Sequence, residues 1–271
     1  MITVLILVSV SVAGWYTWDK VDVVRNFIEE KVSGNDFQTL EIRYSSDEII
    51  QNHRDELLKD SSYTLIEPKL LFYPYLLMEV KYTKSSGVTG EGTLLWGLSD
   101  GEMVLDTHSW EKTHGFEDCL LAKASKNDFK VITALVESGG VIDRERLFHR
   151  FKVDHDILDD WVDSCRSKKL IALTGNKMRL HFQSPKFGTN PITKIGHSLV
   201  TNSAKYASKC KRHYSPAQIR QLTQIVFGKD FGIRKTEEVF LPVHRIAIQN
   251  PDGSIFTTYW NALTGKRLDL S

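Results

Sequence analysis

An imperfect internal repeat constrains this chain more than any other feature. One copy begins Ser45-Ser46-Asp47-Glu48 and the other Ser215-Pro216-Ala217-Gln218. Both have capping-box spacing, in which a serine and a Glu or Gln three residues on satisfy the first open N–H groups of a helix. The second copy adds proline at the first helical position, where no N–H is needed. The first helix continues through Ile50, His53 and Leu57, the second through Ile219, Leu222, Ile225 and Val226 to Gly228. Each then meets an apolar run broken by proline: Leu70-Leu71-Phe72-Tyr73-Pro74-Tyr75, and Glu238-Val239-Phe240-Leu241-Pro242-Val243. Serine and proline are 29 residues apart in one copy and 27 in the other.

Paired strands follow each proline. Met78 to Tyr82 and Gly92 to Trp96 flank a Gly-rich loop, while Arg245 to Gln249 and Ser254 to Trp260 flank Asn250-Pro251-Asp252-Gly253. Ser99-Asp100-Gly101-Glu102 and Leu263-Thr264-Gly265-Lys266 then turn into a last short strand. These landmarks predict two α-plus-β units, 45–118 and 215–271. A helix followed by a meander whose last turn reads Asp-Gly or Thr-Gly resembles the PepSY-type or cystatin-like module, over about 55 residues in each half. The resemblance implies binding of peptides or proteins rather than catalysis. It places Pro74 and Pro242 at a bulge or an edge, since proline cannot donate to a ladder.

Residues 125–182 read as one compact unit. Phe129, Ile132, Leu135 and Val136 make a helical stripe that stops at Gly139-Gly140, and Ser125 or Asn127 is available as its cap. Val141-Ile142 forms a short strand. Asp143 caps a helix with Leu147, Phe148 and Phe151; Asp154 caps a third with Ile157, Leu158, Trp161, Val162 and Cys165 inward. A hairpin closes around Gly175-Asn176. This order resembles the winged-helix superfamily over about 58 residues. Its third helix would enter a DNA groove, yet it carries Asp154, His155, Asp156, Asp159, Asp160 and Asp163, which a polyanion repels. Lys168, Lys169, Lys177 and Arg179 remain available to a nucleic-acid backbone. A structural or protein-docking role is the favoured expectation.

Ile2 to Trp18 contains no charge. At 1.5 Å per residue its seventeen residues span roughly 25 Å, the short limit for crossing a bilayer. Trp15, Tyr16 and Trp18 cluster at its end, as interfacial aromatics do. A membrane anchor over 1–18, with 19–44 as a juxtamembrane segment, is the leading reading. A cleavable signal peptide and a buried core element are the alternatives. Lys20, Arg25 and Lys31 after the run place the body in the cytoplasm.

Charge is balanced overall at +1 but not along the chain. Lys186 to Lys235 holds ten basic residues against one acid, Asp230, a surplus of nine that leaves the remainder at −8. Its centre, Lys205 to Tyr214, sets Lys205, Lys209, Lys211 and Arg212 among tyrosines. Those four, with Lys177 and Arg179, are the candidate contacts for an anionic surface: an acidic protein, an anionic lipid or a nucleic acid. The bland alternative docks the tract within the chain, on the acidic third helix or on the acidic N-terminal half, including Glu29, Glu30, Asp47, Glu48, Asp55 and Glu56. The aromatic strand Phe72, Tyr73 and Tyr75 is the second partner-binding candidate. This basic stretch, 183–214, otherwise reads as a linker.

Apparent catalytic motifs fail on context. Gly97-Leu98-Ser99-Asp100-Gly101 matches GxSxG but leads into a strand, whereas a nucleophile elbow leads into a helix. His53-Arg54-Asp55 and Asp230-Phe231-Gly232 lack the other kinase parts, and no P-loop or GxGxxG occurs. The histidines reproduce no metal-ligand pattern, so no cofactor or metal is expected. Cys119, Cys165 and Cys210 make no CxxC, which favours a reducing compartment. The expected fold is α+β: an N-terminal hydrophobic helix and two related helix-plus-meander units with a winged helix between them. The expected function is a non-enzymatic, membrane-anchored protein-binding or scaffold protein. The alternative is a membrane-tethered winged-helix regulator that binds nucleic acid.

Overall fold

The computed structural model describes residues 36–83, 86–182, 185–187, 190–203 and 207–269. The apolar run 2–18, the segment 19–35 and Lys205 lie outside the described residues. Among the described residues no helix is long and apolar enough to cross a membrane.

The chain is α+β. β1 (Asp36–Leu40) comes first, so the end of the expected juxtamembrane segment is sheet. Next are α1 (Ser46–Asn52), α2 (Arg54–Leu57), β2 (Thr64–Thr83), β3 (Thr89–Gly97), β4 (Met103–Asp106) and β5 (Glu111–Lys112). A central module follows: α3 (Phe116–Leu121), α4 (Lys126–Glu137), β6 (Val141–Asp143), α5 (Arg144–Phe151), α6 (His155–Ser167), β7 (Ile171–Thr174) and β8 (Lys177–Leu180). The chain then returns to the main sheet through β9 (Leu199–Ser203), β10 (Ser208–Lys209), α7 (Pro216–Phe227), β11 (Gly232–Gln249), β12 (Ile255–Asn261) and β13 (Arg267–Leu268). The stretch expected as a linker therefore contributes two strands.

Both halves build one ten-stranded sheet, in the order β13-β12-β11-β2-β3-β4-β5, with β1, β9 and β10 off that path. They meet along the long antiparallel pair β2–β11. There Tyr73 faces Leu241, Phe72 faces Pro242 and Pro74 faces Phe240. A local two-fold axis through the Tyr73–Leu241 pair thus carries one proline onto the other.

The prolines sit at neither of the β2–β11 register shifts, which fall at Ile233/Lys235 and Arg245/Ala247, and both lie on the two central strands. They mark a handover instead. Leu98 N donates to Pro74 O at 3.0 Å, and a residue with an N–H at position 74 would return a bond to Leu98 O. Proline leaves that acceptor open, and the amides of His213 and Tyr214 take it, each at 2.9 Å. The same happens at the related site: Ala262 N donates to Pro242 O, and Arg43 and Tyr44 donate to Ala262 O. Each bonded tyrosine directly precedes a capping serine, so the prolines fix where the helices start.

The helices then cross over. α1 and α2 bury Ile49 and Leu57 against Ile246, Ile248 and Trp260 of the second half. α7 buries Ile219 and Leu222 in the cluster holding Leu76, Met78, Leu94 and Trp96 of the first half. Tyr44 packs on Gly265 and Tyr214 on Gly101; both glycines have positive φ, 70° and 67°. On the opposite face Tyr75, Leu95, Val104, Val239, Leu241 and Val243 form a second core with Leu40, Trp110 and Leu263.

In the central module, Ser125 closes a capping box with Asp128 at the start of α4, and Asp143 accepts from Arg146 N at 2.8 Å at the start of α5. Leu147, Leu158, Val162, Cys165 and Met178 fill the interior, whereas Ile157, expected inward, is 42% exposed. Asp128 is fully buried and pairs with Lys168 at 2.5 Å. Burial pushes its carboxyl up, but the Lys168 ammonium and the Ser125 N–H outweigh that and hold it at about 2.

Candidate interaction surface

The basic tract is laid against the sheet by β10, which runs parallel to β2 with Lys209 beside Phe72. Cys210 N donates to Phe72 O at 2.8 Å, which locks the register. Alternation then sends Lys209 to the face where Phe37, Phe72 and Phe240 cluster. Its ammonium stands 4.2 Å from the Phe37 ring centre and 5.1 Å from that of Phe240, a cation–π arrangement that leaves the head in solvent. Lys211 is exposed, and Arg212 pairs with Glu238 at 3.2 Å.

Part of the charge surplus is met within the chain, in two cases by acids of the N-terminal half, though among the described residues by Glu91 and Glu111 rather than by Asp47, Glu48, Asp55 or Glu56. Lys186 pairs with Glu111, Arg234 with Glu91 at 2.8 Å and Lys235 with Glu237 at 3.1 Å. All these partners lie on strands of the main sheet. On α6, Asp159 pairs with Arg144 of α5 instead, and His155 stacks on Phe148 at 3.8 Å. Glu48 serves the Ser45 cap and Glu56 pairs with Arg267. The tract is held by nearby strand carboxylates because the ladder sets them beside it, whereas α6 belongs to a different layer.

The aromatic strand faces inward. Phe72 and Tyr75 are each 5% exposed, and Tyr73 is half-buried beside Cys210. Burial pushes the Tyr73 hydroxyl and the Cys210 thiol up. These rings serve the core, which accounts for the apolar run without a partner. Lys177 and Arg179 are exposed on β8, opposite Asp143 and Val141 of β6.

The GxSxG segment is the turn between β3 and β4. Asp100 receives Lys112 at 2.5 Å, and Tyr75 lies beneath that lysine. Burial pushes the Lys112 ammonium down, but Tyr75 and Asp100 outweigh it and hold it above its ordinary range. Glu102 accepts from Gly115 N at 2.8 Å, Glu117 N at 3.0 Å and the Thr113 hydroxyl at 2.6 Å. It thereby anchors the start of α3. Burial raises its carboxyl despite these donors.

Two features escaped the sequence reading. Thr193 is wedged between β3 and β4: its hydroxyl accepts from Leu95 N at 2.9 Å and donates to Val104 O at 2.6 Å. Beyond it, His197 is nearly buried with Nδ1 3.4 Å from Glu41 and its ring 4.5 Å from that of His108. Among the described residues no three His, Cys, Asp or Glu side chains are arranged to hold a metal ion. Compared with protein families, curated proteins and solved structures, the chain matches none.

Proposed function

We propose that this is a non-enzymatic protein-binding or scaffold protein, held at a membrane by Ile2 to Trp18 as a single N-terminal anchor with its body on the cytoplasmic side. In this reading the two halves are copies of one PepSY-type or cystatin-like unit, and residues 125–182 are a winged helix inserted between them. The observation that carries it is the outer face of α6, where Asp156, Asp160 and Asp163 are exposed around the exposed Ile157. A groove-reading helix has to neutralise phosphates, and these carboxylates add repulsion instead. An exposed aliphatic residue among charges suits a protein surface.

The second reading, a tethered nucleic-acid regulator, draws on the exposed Lys177, Arg179, Lys209 and Lys211. Fluorescence anisotropy of the full chain with duplex DNA at low and physiological salt separates the two. The expected result is no saturable binding at physiological salt. A steep salt slope, lost in Lys209→Glu/Lys211→Glu, would move the assignment to the second reading.

A further inference from the structure

We infer that the outer edge of β9 is a docking site for an extended, acid-flanked segment of a partner protein, which adds to the sheet as one more strand; the inference rests on the protein-binding reading above. β9 pairs along its inner side with β1, Leu40 facing Leu199 and Asp36 facing Ser203. Among the described strands none pairs with its outer side. An open edge is a template for another strand, and proteins usually guard one with lysine, proline or a bulge. The sequence Leu199-Val200-Thr201-Asn202-Ser203 has no charge and no proline, and its pairing with β1 has no register shift.

Side-chain hydrogen bonds also brace the edge against β1. The Gln38 side chain donates to the Thr201 hydroxyl at 3.0 Å, and that of Asn202 donates to the Thr39 hydroxyl at 2.7 Å. Thr39 is in turn paired with Phe240 of β11, which ties the edge to the centre of the sheet. A strand added here therefore meets a braced row of backbone groups, which is how edge addition gains affinity. Leu199 and Val200 are 39% and 37% exposed, and Ile42 and Ile195 at the same end are 44% and 38% exposed.

Charge selects the occupant. From 183 to 212 the sequence has six basic residues and no acid. Lys186 and Arg212 are paired within the chain, while Lys194, Lys209 and Lys211 are exposed. Lys194 precedes β9, and Lys209 stands over Phe37, the β1 residue that faces Asn202. The acids at this site lie on the β1 side, as Lys209 does: Asp36 opposite Ser203 at one end, and Glu41 at the other, where it stands 3.4 Å from His197. A strand with uncharged residues at its centre and carboxylates at its ends matches this layout.

The test uses the full chain and two synthetic peptides with the same Val-Thr-Val-Thr-Val centre, one flanked by Asp and Glu, the other by Lys. The expected result is binding of the acidic peptide alone, weakened about tenfold by raised salt. Amide hydrogen exchange should slow within 199–203. Val200→Asp should weaken binding at least about tenfold, since an added carboxylate repels the peptide. Thr201→Pro, which removes a backbone donor, should do so if it folds. Equal binding of both peptides, no binding of either, or protection elsewhere would overturn the site. So would a dimer paired through β9 that shuts the peptide out. Failure here with DNA binding still absent removes the edge site alone, whereas salt-dependent DNA binding removes the reading beneath it.

Discussion

Along the local two-fold, the framework of the two halves coincides while their filling differs. Tyr44 matches Tyr214, Ser45 matches Ser215, Phe72 matches Phe240, Pro74 matches Pro242, Trp96 matches Trp260 and Gly101 matches Gly265. Each matched residue answers a backbone need: a cap, a missing N–H, a positive φ, or a ring that fills one site. Elsewhere Tyr75 stands against Val243, Leu76 against His244, Asp100 against Thr264 and Glu102 against Lys266. The first half's choices are polar where it carries the central module, since Glu102 holds the start of α3 and Asp100 holds Lys112. At the matching position of the second half, Lys266 is exposed. Geometry is thus kept in duplicate, and chemistry is placed where a further element attaches.

The largest effect should come from the paired tryptophans, each about 1% exposed or less. Truncating a buried Trp to Ala costs about 3–5 kcal/mol. Trp96→Ala should reach the upper end, because Trp96 belongs to the cluster shared by sheet, α7 and central module, whereas Trp260 belongs to a smaller one. Urea unfolding reads both. Equal losses would mean that the central module gains nothing from the first half's core.

The glycines come next. Both need positive φ, which costs an L-residue roughly 1–2 kcal/mol. A Cβ at Gly265 would meet the Tyr44 ring at 3.1 Å, but at Gly101 it would meet Leu120 at 2.7 Å as well as Tyr214 at 3.1 Å. Gly265→Ala should therefore lower stability by about 1–2 kcal/mol and Gly101→Ala by about 2–3 kcal/mol. A reversed order in thermal melts would place the tighter turn in the second half.

Local rules made much of this framework legible. The Ser45 and Ser215 capping boxes, the Gly101 and Gly265 turns and the hairpin around Gly175 follow from residue types a few positions apart. What was not legible depends on contacts distant in sequence. Nothing near Pro74 says that Leu98 O will be taken by Tyr214, because that acceptor is free only once β3 has ended beside it. Helix exchange has the same character, since Ile49 looks equally able to pack on either set of strands. β9 hid within a stretch whose lysines suggest a linker, and its partner β1 is more than 150 residues away by number. For the interaction surface, the exposure of Lys209 and Lys211 was foreseeable from charge. The burial of Phe72 and Tyr75 was not, because an aromatic strand reads alike in a core and at an interface.

His244 supplies a smaller, pH-dependent difference between the halves. It is 7% exposed, and its Nε2–H donates to Tyr44 O at 2.9 Å. Burial pushes its imidazole below the ordinary 6.5, with the Tyr44 carbonyl and Asp47 opposing. Because the folded state favours the neutral ring, its stability is full above about 6.5 and is lost as pH falls through the folded value. His244→Leu, which copies Leu76, should flatten the urea midpoint between pH 7 and pH 5. It should also cost about 1 kcal/mol at pH 7 for the lost bond. An unchanged slope would assign acid sensitivity to the carboxylates.

The smallest effects test whether the two helix starts are equivalent. Each serine hydroxyl accepts from the N3 amide, Glu48 N at 3.2 Å and Gln218 N at 3.3 Å, while the N3 side chain accepts from the serine N–H at 2.7 Å and 2.8 Å. Geometry alone predicts equal losses of about 1 kcal/mol for Ser45→Ala and Ser215→Ala. Charge separates them. Glu48 is an anion at a helix N-terminus and adds a small favourable dipole interaction that neutral Gln218 lacks, though Pro216 pre-sets the backbone of the second helix. That interaction is screened by salt while the hydroxyl bonds are not. Raising salt should therefore destabilise the start of α1 and leave α7 unchanged, so Glu48→Gln should make the first half behave like the second. If hydrogen exchange at the two helix starts responds to salt alike before that substitution, the dipole contribution of Glu48 is absent and the capping bonds alone fix both helices.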